Sequence, residues 1–355
     1  MLIRNIATKV ANFLLNASEQ VRILHFGIKK KYVSFVLHSI FRNFADMNEE
    51  IFRTIVPLPE APFRIGAAER VLCVGSCFAD EMGRRFEEDH FPTLANPFGV
   101  MYNPASILHT IERITTQNHS AKVPLPTGEG LGEALPTGEG PGLGILTLGT
   151  NHVYVERATG EIVDNCQKRP ASDFEERCLS VDECADYLRR SIQLLHEWNP
   201  EMKIILTVSP IRYRKYGYHE SQLSKATLLM AVEKVTKYRG DKVTDNQEDV
   251  TLLPCYSDAL TYFPSYEILL DELRDYRFYA PDMLHPSPQA VDYIYRRFQD
   301  CFFSDEARQY VIEWRPIREA LAHRPFNPDS SEYQTFRKQT LQRQQAFEQK
   351  WHKRE

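Results

Sequence analysis

Short apolar runs alternate with amphipathic stretches along most of the chain. Residues 71–75, 144–149 and 203–210 are apolar runs that stop at glycine or proline, which predicts buried strands. A further strand is predicted at 252–258. Apolar residues at helical spacing predict helices at 78–91, 104–116, 181–198, 221–239, 288–303 and 305–322. Strands that alternate with helices predict a three-layer α/β/α sandwich around a mainly parallel sheet.

Two local signals refine this pattern. Ser180 precedes the helix at 181–198, and Glu183 three residues later completes the pattern of a capping box. Residues 152–165, "HVYVERATGEIVDN", predict a hairpin that turns at "ATGE".

The chain also contains segments that do not fit a compact fold. Residues 121–144 hold a direct repeat with a period of ten, "LPTGEGLGEA" then "LPTGEGPGLG", whose glycine and proline content predicts a disordered insertion in a surface loop. Residues 1–46 are basic, and we interpret them as an extension outside the domain, with Met47 as the true start of the protein. The alternative is a basic arm that contacts a membrane surface. The α/β domain is then expected at 47–304 and a solvated helical tail at 305–355.

Composition narrows the classes of function. Hydrophobic residues make up 43% of the chain, charged residues 26%, and the net charge is −5, which is typical of a soluble globular protein without a nucleic-acid partner. No run of 18 apolar residues is present to insert stably in a membrane. None of the seven cysteines has the CxxC spacing of a zinc or redox site, so we expect free thiols in a reducing, cytoplasmic compartment. We expect neither a metal nor another cofactor.

The first strand leads into two nucleophilic side chains, Ser76 and Cys77, in "VLCVGSCFADEMG" at 71–83. Ligands of open parallel sheets bind at the carboxyl ends of strands, and a helix N-terminus favours a thiolate or an oxyanion. Either residue is therefore a candidate nucleophile. The structural alternative is a small-residue turn, in which the serine caps the helix and the cysteine packs as a small hydrophobe.

A candidate base occurs near the end of the predicted domain. Asp282 precedes His285 by three residues in "DMLHPS", and an aspartate at this spacing can reach a ring nitrogen of the histidine. Such a contact fixes the tautomer and stabilises the imidazolium, as general-base catalysis requires. A nucleophile after the first strand, with Asp and His together in the last loop, is the order found in the SGNH (GDSL-type) hydrolases.

The chain resembles the GSCFA family, named for the string at 75–79, which is similar to a branch of the SGNH superfamily. The resemblance runs from about residue 52 to about residue 303. It rests on "GSCFADEMG", "NPFGVMYNP", "LTLGT", "VDNCQKRP", "LTVSPI", "SKATLL" and "YFPSYEILLDELRDYRFYAPDMLHPS". It implies an SGNH-hydrolase-like (flavodoxin-like) fold and ester chemistry, but no particular substrate.

The resemblance also implies which groups bind the oxyanion. In the superfamily, a glycine and an asparagine assist the nucleophile's own N–H. Carried onto this sequence, they are Gly99 in "NPFG" and Asn151 in "LGTN", with Asn103 and Asn165 as alternatives to Asn151.

The identity of the nucleophile stays open at this point. When "VGSCF" is aligned without a gap on the Gly-Asp-Ser motif of the superfamily, Ser76 aligns with the aspartate and Cys77 with the nucleophilic serine. A shift of the alignment by one residue places Ser76 at the nucleophile position instead. Cys77 is slightly favoured, because a thiol beside His285 and a helix N-terminus is expected to be partly ionised. Relatives carry histidine where this chain has Gln167 and Tyr213, which implies altered specificity or weaker activity.

We therefore expect an SGNH-like esterase or deacylase that forms a covalent acyl-enzyme. The expected substrate is an acyl ester, acetyl included, of a carbohydrate or a small molecule. The alternative is a non-catalytic or acyl-transferring member that binds a glycan or an acylated ligand.

Overall fold

The computed structural model describes residues 54–119, 140–164, 166, 168–237 and 258–351. The basic extension, Asn165, Gln167, residues 121–139 of the repeat and residues 252–257 of one predicted strand lie outside the described residues.

Eight strands are described. In chain order they are β1 (Val71–Gly75), β2 (Thr93–Ala95), β3 (Leu143–Leu148), β4 (His152–Glu156), β5 (Ile162–Val163), β6 (Phe174–Cys178), β7 (Lys203–Val208) and β8 (Leu260–Tyr262). Five of them form a parallel sheet in the order β2-β1-β3-β7-β8, which is the doubly wound order of flavodoxin-like folds. The predicted fold class is confirmed.

A smaller antiparallel sheet has the order β5-β4-β6. Its β4–β5 pair is the hairpin that the sequence predicts. The sequence did not predict β2, β6 and β8, of which β2 and β8 are only three residues long.

In the described part of the chain, seven helices of 12 or more residues surround the sheets, and Ser265–Glu267 and Ile268–Leu273 form a further short helical segment. The seven helices are α1 (Cys77–Glu88), α2 (Pro104–His119), α3 (Val181–Trp198), α4 (Gly217–Thr236), α5 (Pro288–Phe302), α6 (Asp305–Leu321) and α7 (Ser331–Trp351). Side chains of α1, α5, α6 and α7 share one hydrophobic cluster, and those of α2, α3 and α4 share another. None of the described helices is long and apolar enough to cross a bilayer.

Strand β1 shows how the sheet holds the two layers together. Val71 and Cys73 belong to the first cluster, whereas Leu72 and Val74 belong to the second, because successive side chains of a strand point to opposite faces. A parallel sheet that is covered on both faces needs such continuously apolar strands. The apolar residues of β1 therefore place this strand between the two layers, with β2 and β3 on either side of it in the sheet.

The C-terminal helix differs from the solvated helix that the sequence predicts. Thr340, Phe347 and Trp351 of α7 are buried, and the Phe347 ring lies 4.8 Å from that of Tyr310 in α6. In turn, Trp314 of α6 stacks on His90 after α1, with ring centroids 3.8 Å apart. Phe347 and Trp351 are one helical turn apart and form a narrow apolar stripe, which the charged composition of the tail obscures.

Candidate active site

The turn between β1 and α1 is fixed by backbone sterics. Gly75 has φ +140°, and a Cβ at this position would lie 2.1 Å from the carbonyl oxygen of Thr147 in β3. The N–H of Ser76 donates to that same oxygen at 3.0 Å, and the N–H of Gly75 donates to Asn96 Oδ1 at 2.8 Å. Only glycine fits here, so the position of the next two residues is set against the end of β3.

Ser76 lies inside the protein. It is fully buried, its Oγ lies 3.0 Å from Thr147 Oγ1, and the N–H of Phe78 donates to the same Oγ at 3.3 Å. The hydroxyl therefore acts as the N-cap of α1.

Cys77 begins α1 and lies at the surface of a pocket. The pocket has a volume of about 310 Å³ and is lined by Cys77, Phe78, Glu81, Ile211, Ala280, Asp282, His285, Pro286 and Pro288. The structure thus brings three predicted site residues, Cys77, Asp282 and His285, to one cavity.

Asp282 and His285 form a hydrogen-bonded pair. His285 Nδ1 lies 2.5 Å from Asp282 Oδ2, while Asp282 Oδ1 accepts the N–H groups of Leu284 and His285 at 2.8 and 3.1 Å. The bond to His285, together with these two backbone donors, lowers the pKa of Asp282 to about 2. The carboxylate is therefore ionised at neutral pH, and its contact with Nδ1 leaves Nε2 for other partners.

The loop that carries this pair is tied to its surroundings by backbone hydrogen bonds. Ala280 N–H donates to the carbonyl of His285 at 2.8 Å, and Arg212 N–H donates to the carbonyl of Leu284 at 3.0 Å. The Arg212 guanidinium also donates to the carbonyl of Met283 at 3.3 Å. Arg212 follows β7 closely, so the end of the sheet positions the histidine.

The ionisation of Cys77 differs from the sequence expectation. Burial raises the pKa of the Cys77 thiol to about 11, and the charge of Asp80 adds to this rise. The backbone N–H of Cys77, the Tyr102 hydroxyl and the charge of Lys225 oppose it. The thiol is thus protonated at neutral pH rather than partly ionised. A nucleophilic Cys77 would need a base at the moment of attack.

The three predicted oxyanion residues that the structure describes, Gly99, Asn103 and Asn151, do not line the pocket, and each has another contact. The N–H of Gly99 donates to the carbonyl of Asn96 at 2.8 Å. Asn103 Oδ1 accepts the N–H of Ser106 at 2.9 Å, near the start of α2. Asn151 is buried, and its Nδ2 donates to the carbonyl of Leu179 at 2.7 Å. Asn165 lies outside the described residues.

Two further residues interact with Cys77 that sequence reasoning missed. The Tyr102 hydroxyl and the charge of Lys225 each lower the pKa of the thiol. Lys225 of α4 is buried, and its Nζ donates to the carbonyls of Gly149 and Ser209 at 2.7 and 2.8 Å, just after β3 and β7. Burial lowers the pKa of Lys225 to about 7. Both lie in strings that carry the family resemblance, "NPFGVMYNP" and "SKATLL", which was the available signal.

The described residues contain no group of three or more His, Cys, Asp or Glu side chains arranged to hold a metal ion.

Two family descriptions match the sequence. The GSCFA family matches residues 70–128 and 141–298, and the description "GSCFA domain protein, C-terminal domain" matches residues 314–353. The second match covers the second half of α6 and all of α7. A search of curated proteins gives no significant match.

Three solved structures resemble this chain. A protein from Streptococcus pneumonia, provisionally described as a platelet activating factor, has a TM-score of 0.37 and 13% identity, with 66% of this chain and 84% of that chain covered. A carbohydrate esterase family 3 protein from Talaromyces cellulolyticus has a TM-score of 0.36 and 9% identity, with 69% of this chain and 99% of that chain covered. A family 3 carbohydrate esterase from Clostridium thermocellum has a TM-score of 0.33 and 12% identity, with 72% of this chain and 99% of that chain covered.

Proposed function

The chain belongs to the GSCFA family, and on this premise we propose that it is an SGNH-like ester hydrolase that works through a cysteine acyl-enzyme. In this proposal Cys77 is the nucleophile, His285 the general base and Asp282 the residue that orients His285.

The observation that carries the proposal is the shared pocket of Cys77 and the Asp282–His285 pair. Ser76 has no comparable place, because its hydroxyl is buried and caps α1. A nucleophile, a base and a group that orients the base are the three parts that acyl transfer through a covalent intermediate requires.

The reaction follows from these roles. His285 Nε2 takes the thiol proton as Cys77 Sγ attacks the ester carbonyl, because the thiol is not ionised beforehand. The tetrahedral intermediate collapses, the carbon–oxygen bond of the ester breaks, and the imidazolium gives its proton to the leaving alcohol. Water, deprotonated by His285, then hydrolyses the thioester and restores the thiol. Asp282 stays ionised throughout and stabilises the imidazolium.

The pocket favours a small acyl group. Its volume of about 310 Å³ is at the low end for ligand sites, and Phe78, Ile211 and Pro286 give it an apolar wall. We infer an acetyl or similarly short ester of a carbohydrate or small molecule as substrate. A catalytic thiol is best preserved in a reducing compartment, which is the basis for a proposed cytoplasmic location.

Acyl transfer is the second candidate, since a cysteine nucleophile passes through a thioester that an alcohol or amine can attack in place of water. An acceptor alcohol added to the assay separates the two: transfer gives an acylated acceptor, whereas hydrolysis gives only the free acid.

The proposal is tested with p-nitrophenyl acetate and intact-protein mass spectrometry. We expect steady-state release of p-nitrophenol and, after acid quench, an acetyl adduct on the peptide that contains Cys77. The variant His285→Ala should lose turnover, whereas His323→Ala, at an exposed histidine after α6, should not. Absence of both turnover and adduct in the wild-type protein would refute an esterase.

A further inference from the structure

A second cavity lies between α2, β5 and the segment that joins β2 to α2. Its volume is about 460 Å³, and among the described residues it shares no lining residue with the Cys77 pocket. It is lined by apolar side chains and by three charged ones, Arg113, Asp164 and Arg169. The proposed ester chemistry uses none of these residues, so the cavity needs an explanation of its own.

Arg113 presents an unpaired guanidinium to this cavity. The group stacks on the ring of Phe98, with its Cζ 3.7 Å from the ring centroid. Among the residues that the structure describes, it has no hydrogen-bond or ion-pair partner, whereas the adjacent Glu112 is paired with Arg190 at 3.1 Å. A guanidinium that stacks on an aromatic face keeps its N–H donors at its edge, where they match the two oxygens of a carboxylate.

The other arginine of the cavity is already paired. Arg169 Nη1 lies 2.5 Å from Glu156 Oε1, and its Nη2 lies 3.4 Å from Asp173 Oδ2. The Arg169 guanidinium also lies 4.9 Å from the ring centroid of Phe174, at the start of β6. Of the two arginines in the described lining, Arg113 is therefore the one whose charge is available to an anion.

Asp164 adds a hydrogen-bond acceptor to the same cavity. Its Oδ1 lies 2.8 Å from Nδ1 of His109, which is one helical turn before Arg113 on α2. This contact holds the carboxylate in place, and a carboxylate has about four lone-pair sites, so Asp164 can accept further hydrogen bonds. Arg113 and Asp164 are both exposed, so a ligand can reach them.

We propose that this cavity binds a small monocarboxylate that carries hydroxyl groups, which is the chemistry of a sugar acid. The carboxylate of the ligand pairs with the edge of the Arg113 guanidinium, and the hydroxyls of the ligand donate to Asp164. A second carboxylate on the ligand would be repelled by Asp164, which favours a single negative charge. The volume is within the usual range for small-molecule sites, and Phe98 and Val163 supply apolar contacts.

The cavity adjoins the segment that holds the turn between β1 and α1, the nucleophile turn. Met101 lines the cavity, and its N–H donates to the carbonyl of Gly75 at 2.8 Å. Asn96 Oδ1, two residues before Phe98, accepts the N–H of Gly75 at 2.8 Å. A bound ligand therefore packs against the segment that contacts Gly75. The proposal concerns binding, and it stands whether or not Cys77 attacks an ester.

Isothermal titration calorimetry of the full-length protein with sodium D-glucuronate, at constant ionic strength, tests the site. We expect one site with a Kd on the order of 1 mM, which is typical of a ligand of this size. D-Glucose, which has the hydroxyls but lacks the carboxylate, should bind at least about tenfold more weakly.

The variants locate the binding site. Arg113→Gln should weaken glucuronate binding by about tenfold or more, because it removes the charge that pairs with the carboxylate. Asp164→Ala should weaken it by about three- to tenfold, because the hydroxyls lose their acceptor. The matched control is Arg190→Gln, at an exposed arginine on α3, which should bind glucuronate like the wild type. Cys77→Ala should also bind like the wild type, and thermal unfolding checks that each variant is folded.

Three results would overturn the proposal. Absence of glucuronate binding by the wild-type protein would mean that Arg113 and Phe98 form only a surface contact. Equal affinity for glucose and glucuronate would exclude a carboxylate site. Equal losses in Arg113→Gln and Arg190→Gln would show non-specific attraction to positive charge. None of these results bears on ester hydrolysis at Cys77, which is measured separately.

Discussion

Ser76 Oγ lies 3.0 Å from Thr147 Oγ1, inside the fold, while the adjacent Cys77 borders the pocket. We therefore expect Ser76→Ala to keep kcat/KM within about tenfold of wild type. The variant should lower the free energy of unfolding by about 1–3 kcal/mol, because it removes the cap of α1 and the hydroxyl partner of Thr147. Ester hydrolysis and urea unfolding measure the two effects.

Cys77→Ala gives the opposite pattern. It should abolish turnover while leaving stability nearly unchanged, since the side chain is only partly buried. A Ser76→Ala variant that is inactive but fully folded, beside an active Cys77→Ala variant, would make Ser76 the nucleophile.

Asp282→Asn should lower kcat by on the order of 10⁴-fold, because an amide cannot hold the imidazole tautomer or stabilise its cation. Since the pKa of Asp282 is lowered to about 2, its carboxylate is ionised throughout the range from pH 4 to 9. A loss of activity on acidification within that range must therefore come from another group. The pH profile of kcat/KM measures both the loss in Asp282→Asn and any loss on acidification. The control variant is Asp275→Asn, at an exposed aspartate. Equal activity in both variants would contradict the role of Asp282.

Lys225 predicts a pH dependence of stability. Its pKa is about 7 in the folded protein and about 10.4 in an unfolded chain, so between these values the unfolded state binds more protons. The free energy of unfolding then rises with pH from about 7 upward, with a slope approaching ~1 kcal/mol per pH unit, and this contribution is flat below that range. Cys77 and Tyr266 beside it have pKa values of about 11 and 12 and do not titrate there.

Urea unfolding between pH 6.5 and 8.5 tests this slope. Lys225→Met should remove it, whereas Lys234→Met, at an exposed lysine on the same helix, should keep it. A slope that is the same in wild type and Lys225→Met would show that Lys225 titrates normally.

Phe347 tests the importance of α7. Its ring packs among Tyr310, Trp314 and His90, so Phe347→Ala should lower the free energy of unfolding by about 3–5 kcal/mol. Phe336, on the same helix, is 37% exposed, and Phe336→Ala should change it by no more than about 0.5 kcal/mol. Thermal and urea unfolding compare the two variants. Similar free energies of unfolding for the two variants would mean that the packing of Phe347 against α6 does not contribute to stability.

The parts of this site that the sequence predicts are those with local signals. The strand at 71–75 is an apolar run that ends at Gly75, and Asp282 is close enough to His285 in the chain for their contact to be expected. The three-residue strand β8 is too short to show a period.

Tyr102 and Lys225 have no local signal, because their positions depend on how β1, β3 and β7 end side by side. The oxyanion residues came from the superfamily pattern, which cannot reveal that Gly99 closes a turn with Asn96 or that Asn151 bonds Leu179. The ionisation of Cys77 likewise depends on its burial, which no short sequence pattern contains.

The packing of α1 has a consequence for biosynthesis. Phe78, Met82 and Phe86 of α1 share one hydrophobic cluster with side chains of α5, α6 and α7, which are the last of the described helices to be translated. Chains emerge from the ribosome N-terminus first, so the apolar face of α1 stays without these partners until α5, α6 and α7 have been made. The nucleophile turn can therefore reach its final packing only after α5, α6 and α7 have emerged, and until then the nascent chain presents an apolar surface that a molecular chaperone would bind.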